Sequence, residues 1–201
     1  MSTAVILAGG KSRRMGRDKL ALTLDGKTFL ERNVEKFSRV FDRVYLSVAG
    51  EGKYENIKAE RVYDVYPGSG PMAGLHAGLL KTEDDGVFLL AGDMPFASPE
   101  MARRVCALCG DHEAAAIRME SGKYETAFAY YSKKLLPKLS AELERGHFKL
   151  GRLLDDIDVR WISPAELGEL WDPRALDNIN YPEDYERIAA QFYAMNGDNK
   201  N

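Results

Sequence analysis

Val5-Ile6-Leu7-Ala8-Gly9-Gly10-Lys11-Ser12-Arg13-Arg14-Met15-Gly16-Arg17-Asp18-Lys19 passes from an apolar run through two glycines into a string of cations. Thr3 to Leu7 reads as a buried strand. Beyond it, Gly9 and Gly10 allow the main chain to approach an anion without interference from a Cβ. Lys11, Arg13, Arg14, Arg17 and Lys19 place five cations within nine residues. Backbone N–H groups and positive charge just past a strand suit a polyphosphate. A glycine pair followed by charges also occurs as an ordinary strand-to-helix turn, and the density of cations favours the ligand. The loop is not a P-loop: Gly10-Lys11-Ser12 supplies the end of that motif, but its first glycine would fall on Val5. Nor is it Gly-x-Gly-x-x-Gly, because the two glycines are adjacent and the next is Gly16.

Outward from this loop, strand-like and helix-like segments alternate. Leu30, Val34, Phe37 and Phe41 form the apolar stripe of a helix, and Val44, Leu46 and Val48 alternate as a strand. Arg61 to Asp64 is a short strand that runs into Pro67-Gly68-Ser69-Gly70-Pro71, followed by a helix through Leu75 and Leu79. Val87 to Ala91 is the continuous apolar run of a strand covered on both faces. Pro99 to Leu108 reads as a helix, Glu113 to Met119 and Thr126 to Ser132 as strands, Lys134 to Glu144 as a helix and Val159 to Ile162 as a strand. A last helix starts near Pro182, with Glu183 and Asp184 in its first turn. This order predicts a three-layer α/β fold, doubly wound around a mainly parallel sheet. A single domain over residues 1–195 and a disordered tail over 196–201 are expected.

Ligands of such sheets gather at the carboxyl ends of the strands. The glycine loop, Asp64, Asp93 and the pair Asn178 and Asn180 should therefore meet at one edge. A carboxylate there could hold a hard cation together with substrate phosphates. Each residue also has a plainer reading. Asp93 before Met94-Pro95 could be a turn residue, Asp64 could simply end an edge strand, Lys19 could be a solvated charge, and Asn180 could cap the last helix.

Leu7-Ala8-Gly9-Gly10-x-Ser-x-Arg-Met-Gly-x-Asp-Lys19, with Gly92-Asp93-Met94-Pro95-Phe96 and Asn178-Ile179-Asn180-Tyr181-Pro182-Glu183-Asp184, resembles the molybdenum cofactor guanylyltransferases. The resemblance covers Thr3 to about Ile188. It implies a Rossmann-like nucleotidyltransferase fold and transfer of GMP from GTP to the terminal phosphate of molybdopterin, with release of pyrophosphate. It implies Mg²⁺ on Asp93, phosphate contacts from Arg13 and Lys19, and a nucleotide site built from Leu7, Ala8, Gly9, Gly10, Asp64, Gly70, Pro71, Asn178 and Asn180. Related cytidylyltransferases tend to read Leu-Ala-Ala-Gly, so Gly9 points to GTP. Two departures stand out: Tyr181 replaces the usual Thr, and Ser47 stands where some members carry a nucleotide-binding Asn. Transient contacts with molybdopterin-synthesis proteins and acceptor molybdoenzymes are also implied. Arg145, His147, Lys149 and Arg152 form a basic cluster that could meet the molybdopterin phosphate or be a solvated helix end.

Composition is consistent with this. The 201 residues are 45% hydrophobic and 29% charged, as in an ordinary globular protein. A net charge of −3 with cations concentrated in one loop argues against general nucleic-acid binding. No run reaches the roughly 18 to 20 apolar residues of a membrane span and no signal-peptide pattern is seen, so a cytoplasmic location without membrane partners is expected. Cys106 and Cys109 form one C-x-x-C without a second pair, and read as small helix residues more readily than as a redox or zinc site. Two rival functions remain open: a cytidylyltransferase acting on molybdopterin or another phosphate, and a nucleotide-binding regulator without turnover.

Overall fold

The computed structural model describes residues 2–9 and 19–197, with side chains through residue 194. The chain forms β1 (Thr3–Leu7), a hairpin of β2 (Thr23–Leu24) and β3 (Lys27–Thr28), α1 (Phe29–Phe37), β4 (Arg43–Val48), β5 (Glu60–Tyr63), α2 (Pro71–Lys81) and β6 (Gly86–Ala91). It continues through α3 (Pro99–Leu108), β7 (Ala114–Arg118), β8 (Tyr124–Ser132), α4 (Leu136–Glu144), α5 (Leu150–Asp155), β9 (Val159–Ile162), α6 (Pro164–Leu167) and α7 (Pro182–Gly197). Seven strands make one sheet in the order β5-β4-β1-β6-β8-β7-β9. β1 pairs in parallel with β4 and β6, β4 with β5, and β7 with β9, while β8 runs antiparallel between β6 and β7. The mainly parallel, doubly wound fold expected from the sequence is the fold found.

The side chains of β1 show how the layers form. All five of its residues are buried. Ala4 and Ile6 point to one face, where α1 supplies Leu30, Val34 and Phe37 and α3 supplies Met101, Ala102 and Val105. Val5 and Leu7 point to the other, against Met72, Leu75 and Leu79 of α2 and Leu139 and Leu143 of α4. A strand apolar at every position, not every second one, is what a sheet covered on both faces requires. Phe88 of β6 anchors the first face, edge-to-face with Phe128 at 4.9 Å and stacked against Phe37 at 6.1 Å. Burial of one such ring stabilises by roughly 1.5–3 kcal/mol.

α1 begins where Thr28 and Glu31 close a reciprocal capping box, with the Thr28 N–H donating to Oε2 of Glu31 and the Glu31 N–H to Oγ1 of Thr28. It ends at Phe37, so Phe41 packs from the following turn and not from the helix. The reversal of β8 follows from the tight connection after β7, in which Met119 N–H donates to Lys123 O (2.7 Å) and Gly122 takes φ 83°. β8 starts two residues before the expected Thr126. α7 extends through Gly197, two residues into the segment expected to be disordered, and residues 198–201 lie outside the described residues.

α2 lies on the sheet more closely than a side chain on its inner face would permit. A Cβ at Gly78 would stand 2.5 Å from Cγ2 of Val5, and one at Gly74 2.4 Å from Cδ2 of Leu7. Val5 is fully buried and β-branched, so it cannot move aside cheaply. Gly78→Ala should therefore lower stability by about 1–3 kcal/mol, although alanine favours a helix by about 1 kcal/mol over glycine. Urea unfolding of the two proteins measures this, and an alanine variant as stable as wild type would show that the close approach is not required.

Candidate active site

The strand register delivers three distant segments to one edge. Leu7 is opposite both Ser47 and Ala91, and Val48 is opposite Tyr63. The residues that follow, Ala8 and Gly9, Gly92 and Asp93, and Asp64, therefore leave the sheet side by side. Ala8 N–H donates to Ser47 O at 2.8 Å and Gly92 N–H to Leu7 O at 3.1 Å, which extends the ladders past the strands. A Cβ on Gly92 would lie 2.6 Å from that same Leu7 oxygen, so only glycine allows β6 to turn here.

Asp93 sits at the centre. Lys19, on the short 3₁₀ turn Lys19–Ala21, pairs through Nζ with Oδ2 of Asp93 and donates to Ile179 O at 3.0 Å. Ile179 N–H donates back to Asp93 O at 3.1 Å. One lysine thus ties the end of the glycine loop, the end of β6 and the Asn178–Asn180 segment into one cluster. The pair is largely shielded, with side-chain exposures of 19% and 12%.

The other predicted residues fall as follows. Leu7 and Ala8 are buried and Gly9 is exposed at the edge. Gly10 and Arg13 lie outside the described residues. Asp64 is partly buried, and burial raises its carboxyl above the usual range while Ser47 Oγ, a long 3.5 Å away, acts the other way. Gly70 starts α2 with φ 62°, a left-handed value suited to glycine, and Pro71 takes the first helical position. Asn178 Nδ2 donates to Leu176 O at 3.4 Å. Asn180 is not the cap of α7: its N–H and that of Tyr181 both donate to Oδ2 of Asp184 at 2.9 Å. Its own side chain is exposed and has no hydrogen bond among the described residues. In the basic cluster, Arg145 and His147, just past the end of α4, both pair with Glu142 of that helix, at 3.0 and 2.7 Å. Cys106 and Cys109 are free thiols, pushed up by burial to about 12 and about 11, as for inert helix residues.

Among the described residues no three His, Cys, Asp or Glu side chains gather to hold a metal by themselves. A hard cation at this edge would take Asp93 and complete its shell with substrate oxygens, the pattern of magnesium at phosphate-transfer sites.

An open sheet that collects a glycine loop, a lysine and a carboxylate at its carboxyl edge is built to move a nucleotide. The chain belongs to the MobA-like NTP transferase family, whose domain model matches residues 4–160. It is 36% identical to a probable molybdenum cofactor guanylyltransferase of Methanosarcina mazei, over 92% of this chain and 89% of that one. A protein of the same name from Aquifex aeolicus is 32% identical, over 94% and 91%. The crystal structure of molybdopterin-guanine dinucleotide biosynthesis protein A from Archaeoglobus fulgidus superposes with a TM-score of 0.82 at 26% identity, covering 96% of this chain and 99% of that one.

Two residues of α1 that the sequence did not single out hold the Asp93 loop from below. Asn33, fully buried, donates through Nδ2 to Gly92 O (3.2 Å) and Met94 O (3.1 Å). Lys36 donates to Pro95 O (3.0 Å) and Ala97 O (2.9 Å), and burial pushes its pKa down to about 8. The available signal was a polar residue within the apolar stripe of a helix, which could not reveal the partner. Asn33→Leu leaves two buried carbonyls without donors, at about 1–3 kcal/mol, and the melting temperature should fall by about 2 to 4 °C for each kcal/mol. Loss of GTP affinity should accompany it at temperatures where the variant is fully folded. Unchanged melting and binding would show that the loop holds itself.

Proposed function

We propose that the chain transfers GMP from GTP to molybdopterin. An oxygen of the molybdopterin phosphate attacks the α-phosphorus of GTP, the bond from that phosphorus to the β-phosphate bridging oxygen breaks, and pyrophosphate leaves. The observation that carries this reading is the meeting of Lys19, Asp93 and the 178–180 segment at the sheet edge. It is supported by similarity across nine tenths of the chain to proteins named molybdenum cofactor guanylyltransferases.

In this reading the N–H groups of Gly9 and Gly10 and the cations Arg13 and Lys19 bind the triphosphate and meet its charge. Asp64, Gly70 and Pro71 border the nucleoside, and Asn178 and Asn180 supply amides beside the phosphates. Asp93 is the metal ligand, and a Mg²⁺ ion there supplies neutralisation of charge on the reacting phosphates. Lys19, which pairs with Asp93, carries its charge at the edge where the triphosphate would lie. No covalent enzyme intermediate is needed. Gly9 within Leu-Ala-Gly-Gly favours GTP over CTP. Delivery of the product would involve transient contacts with acceptor molybdoenzymes, and supply of the acceptor similar contacts with molybdopterin-synthesis proteins. Among the described residues no helix is long and apolar enough to cross a membrane.

The test combines nucleotide choice with one substitution. GTP with Mg²⁺ should raise the melting temperature more than CTP at equal concentration, since bound ligand stabilises by mass action. Asp93→Asn preserves size and removes the charge a hard cation needs. It should fold, melt lower than wild type because the shielded Lys19 loses its counter-charge, and, at temperatures where it is fully folded, transfer GMP about a hundredfold more slowly or worse, about 1.4 kcal/mol per decade of rate. Stronger stabilisation by CTP would replace the guanylyl assignment with a cytidylyl one. Transfer by the variant at near wild-type rate would make Asp93 a turn residue.

A further inference from the structure

Glu125 has no part in the mechanism above, yet the fold brings it to the same edge. β8 runs antiparallel to β6 with Phe128 opposite Leu90. As β6 continues through Ala91 and Gly92 to Asp93, β8 passes it through Ala127 and Thr126 to Glu125. Against β7 the register slips here: Ala116 is opposite Ala129 but Arg118 is opposite Tyr124, so two steps on β7 meet five on β8. This is a break in the ladder larger than a simple bulge, the kind of irregularity that re-aims side chains beside a site. Inside it the N–H groups of Thr126 and Ala127 both donate to Oε1 of Glu125 at 2.9 Å. Oε2 has no hydrogen-bond partner among the described residues. Burial raises the Glu125 carboxyl above the usual range, the two N–H groups act against this, and the charge of Asp93 adds to the rise.

Glu125 also lines a cavity of about 200 Å³ between the β7–β8 hairpin and the segment leading to Asn178. Ile117, Met119, Tyr124 and Leu176 give it apolar walls, and its polar groups are Lys123, Glu125 and Asp177, the last of which pairs with Arg187 at 2.7 Å. That is room for a single ring system with polar groups on its rim, not for a nucleotide. The sheet order also separates it from the expected nucleoside side: Asp64 follows β5 at the far edge, while the cavity lies over β8 and β7, on the other side of Asp93.

We propose that this cavity receives the pterin of the acceptor and that Glu125 reads its donor edge, accepting through Oε2 from the ring's 2-amino group. The inference rests on the reading of the chain as a transferase acting on molybdopterin. A 2-amino-4-oxopyrimidine offers adjacent N–H donors on one edge, and with Oε1 held by Thr126 and Ala127 the other oxygen, Oε2, is left to accept from it in a charge-assisted hydrogen bond, which is both strong and directional. A half-buried acceptor without a partner selects for a donor, because a ring lacking one leaves it unpaired. Lys123 on the same rim supplies a donor for the 4-oxo group. Guanine carries the same donor edge, so the two sources must be separated by experiment, and the sheet order assigns the cavity to the acceptor.

Glu125→Gln decides the matter, because the amide oxygen can still accept from Thr126 and Ala127 while its NH₂ group faces the ring with a donor. The variant should melt like wild type, bind GTP with unchanged Kd, and show a KM for molybdopterin raised about tenfold or more. Fluorescence titration with 6-hydroxymethylpterin, which needs no turnover, should detect binding to wild type and not to the variant. Leu176→Trp fills the cavity from its opposite wall, with Glu125 itself unchanged, and should give the same split if Glu125→Gln melts lower. Unchanged KM and unchanged pterin binding in both variants, with GMP transfer intact in the wild type, would overturn the pocket and leave the functional reading standing. Absence of transfer by wild type would overturn the functional reading alone if the pterin titration still distinguishes the variants. A raised Kd for GTP with pterin binding kept would mean that the cavity reads guanine, and the proposal would fail.

Discussion

The ion pair of Lys19 with Asp93 is the point on which the site depends. It joins residues 74 positions apart, and through Ile179 O the same ammonium reaches 160 positions further along the chain. A pair this shielded has lost much of its hydration, and persists because Ile179 O gives the lysine a second acceptor. Removal of either partner would strand the other. The arrangement therefore positions a carboxylate and a cation together at the edge of the sheet, where each alone would cost more than it returns. For an enzyme handling a nucleotide polyanion, both charges are then already in place before substrate arrives.

What makes that pair possible is geometry below it. Gly92 permits β6 to turn against Leu7 O, and Asn33 and Lys36 of α1 then hold four carbonyls between Gly92 and Ala97. α1 is itself fixed to the sheet by Phe37 against Phe88 and started by the Thr28–Glu31 box. The chain of cause runs from a capped amphipathic helix, through a buried amide, to the position of one carboxylate.

Much of this was legible in the sequence. The apolar runs at Thr3–Leu7 and Val87–Ala91 declared strands covered on both faces, and strand ends then fixed where Asp64 and Asp93 must lie. The hairpin β2–β3 went unread, although Asp25-Gly26 takes positive φ at both positions (49° and 74°) as an Asp-Gly turn should, because two-residue strands show no periodicity. The start of β8 was missed for a different reason: the bulge breaks the alternation between Tyr124 and Phe128, so Glu125 looked like a loop residue. Asn33 and Lys36 could be seen to lie on α1, but their partners are carbonyls, and carbonyls leave no trace in a sequence. The role of Asp184 in place of Asn180 at the start of α7 was likewise a choice between two suitable oxygens that only the folded backbone makes.

The central claim is that Asp93 is a cation seat held ready by Lys19. Anomalous diffraction from crystals grown with GTP and Mn²⁺ tests it directly. The account predicts a manganese peak shared by the Asp93 carboxylate and the triphosphate, with Lys19 moved from the carboxylate to the phosphates. A manganese site elsewhere, with the Lys19–Asp93 pair intact beside bound GTP, would contradict it.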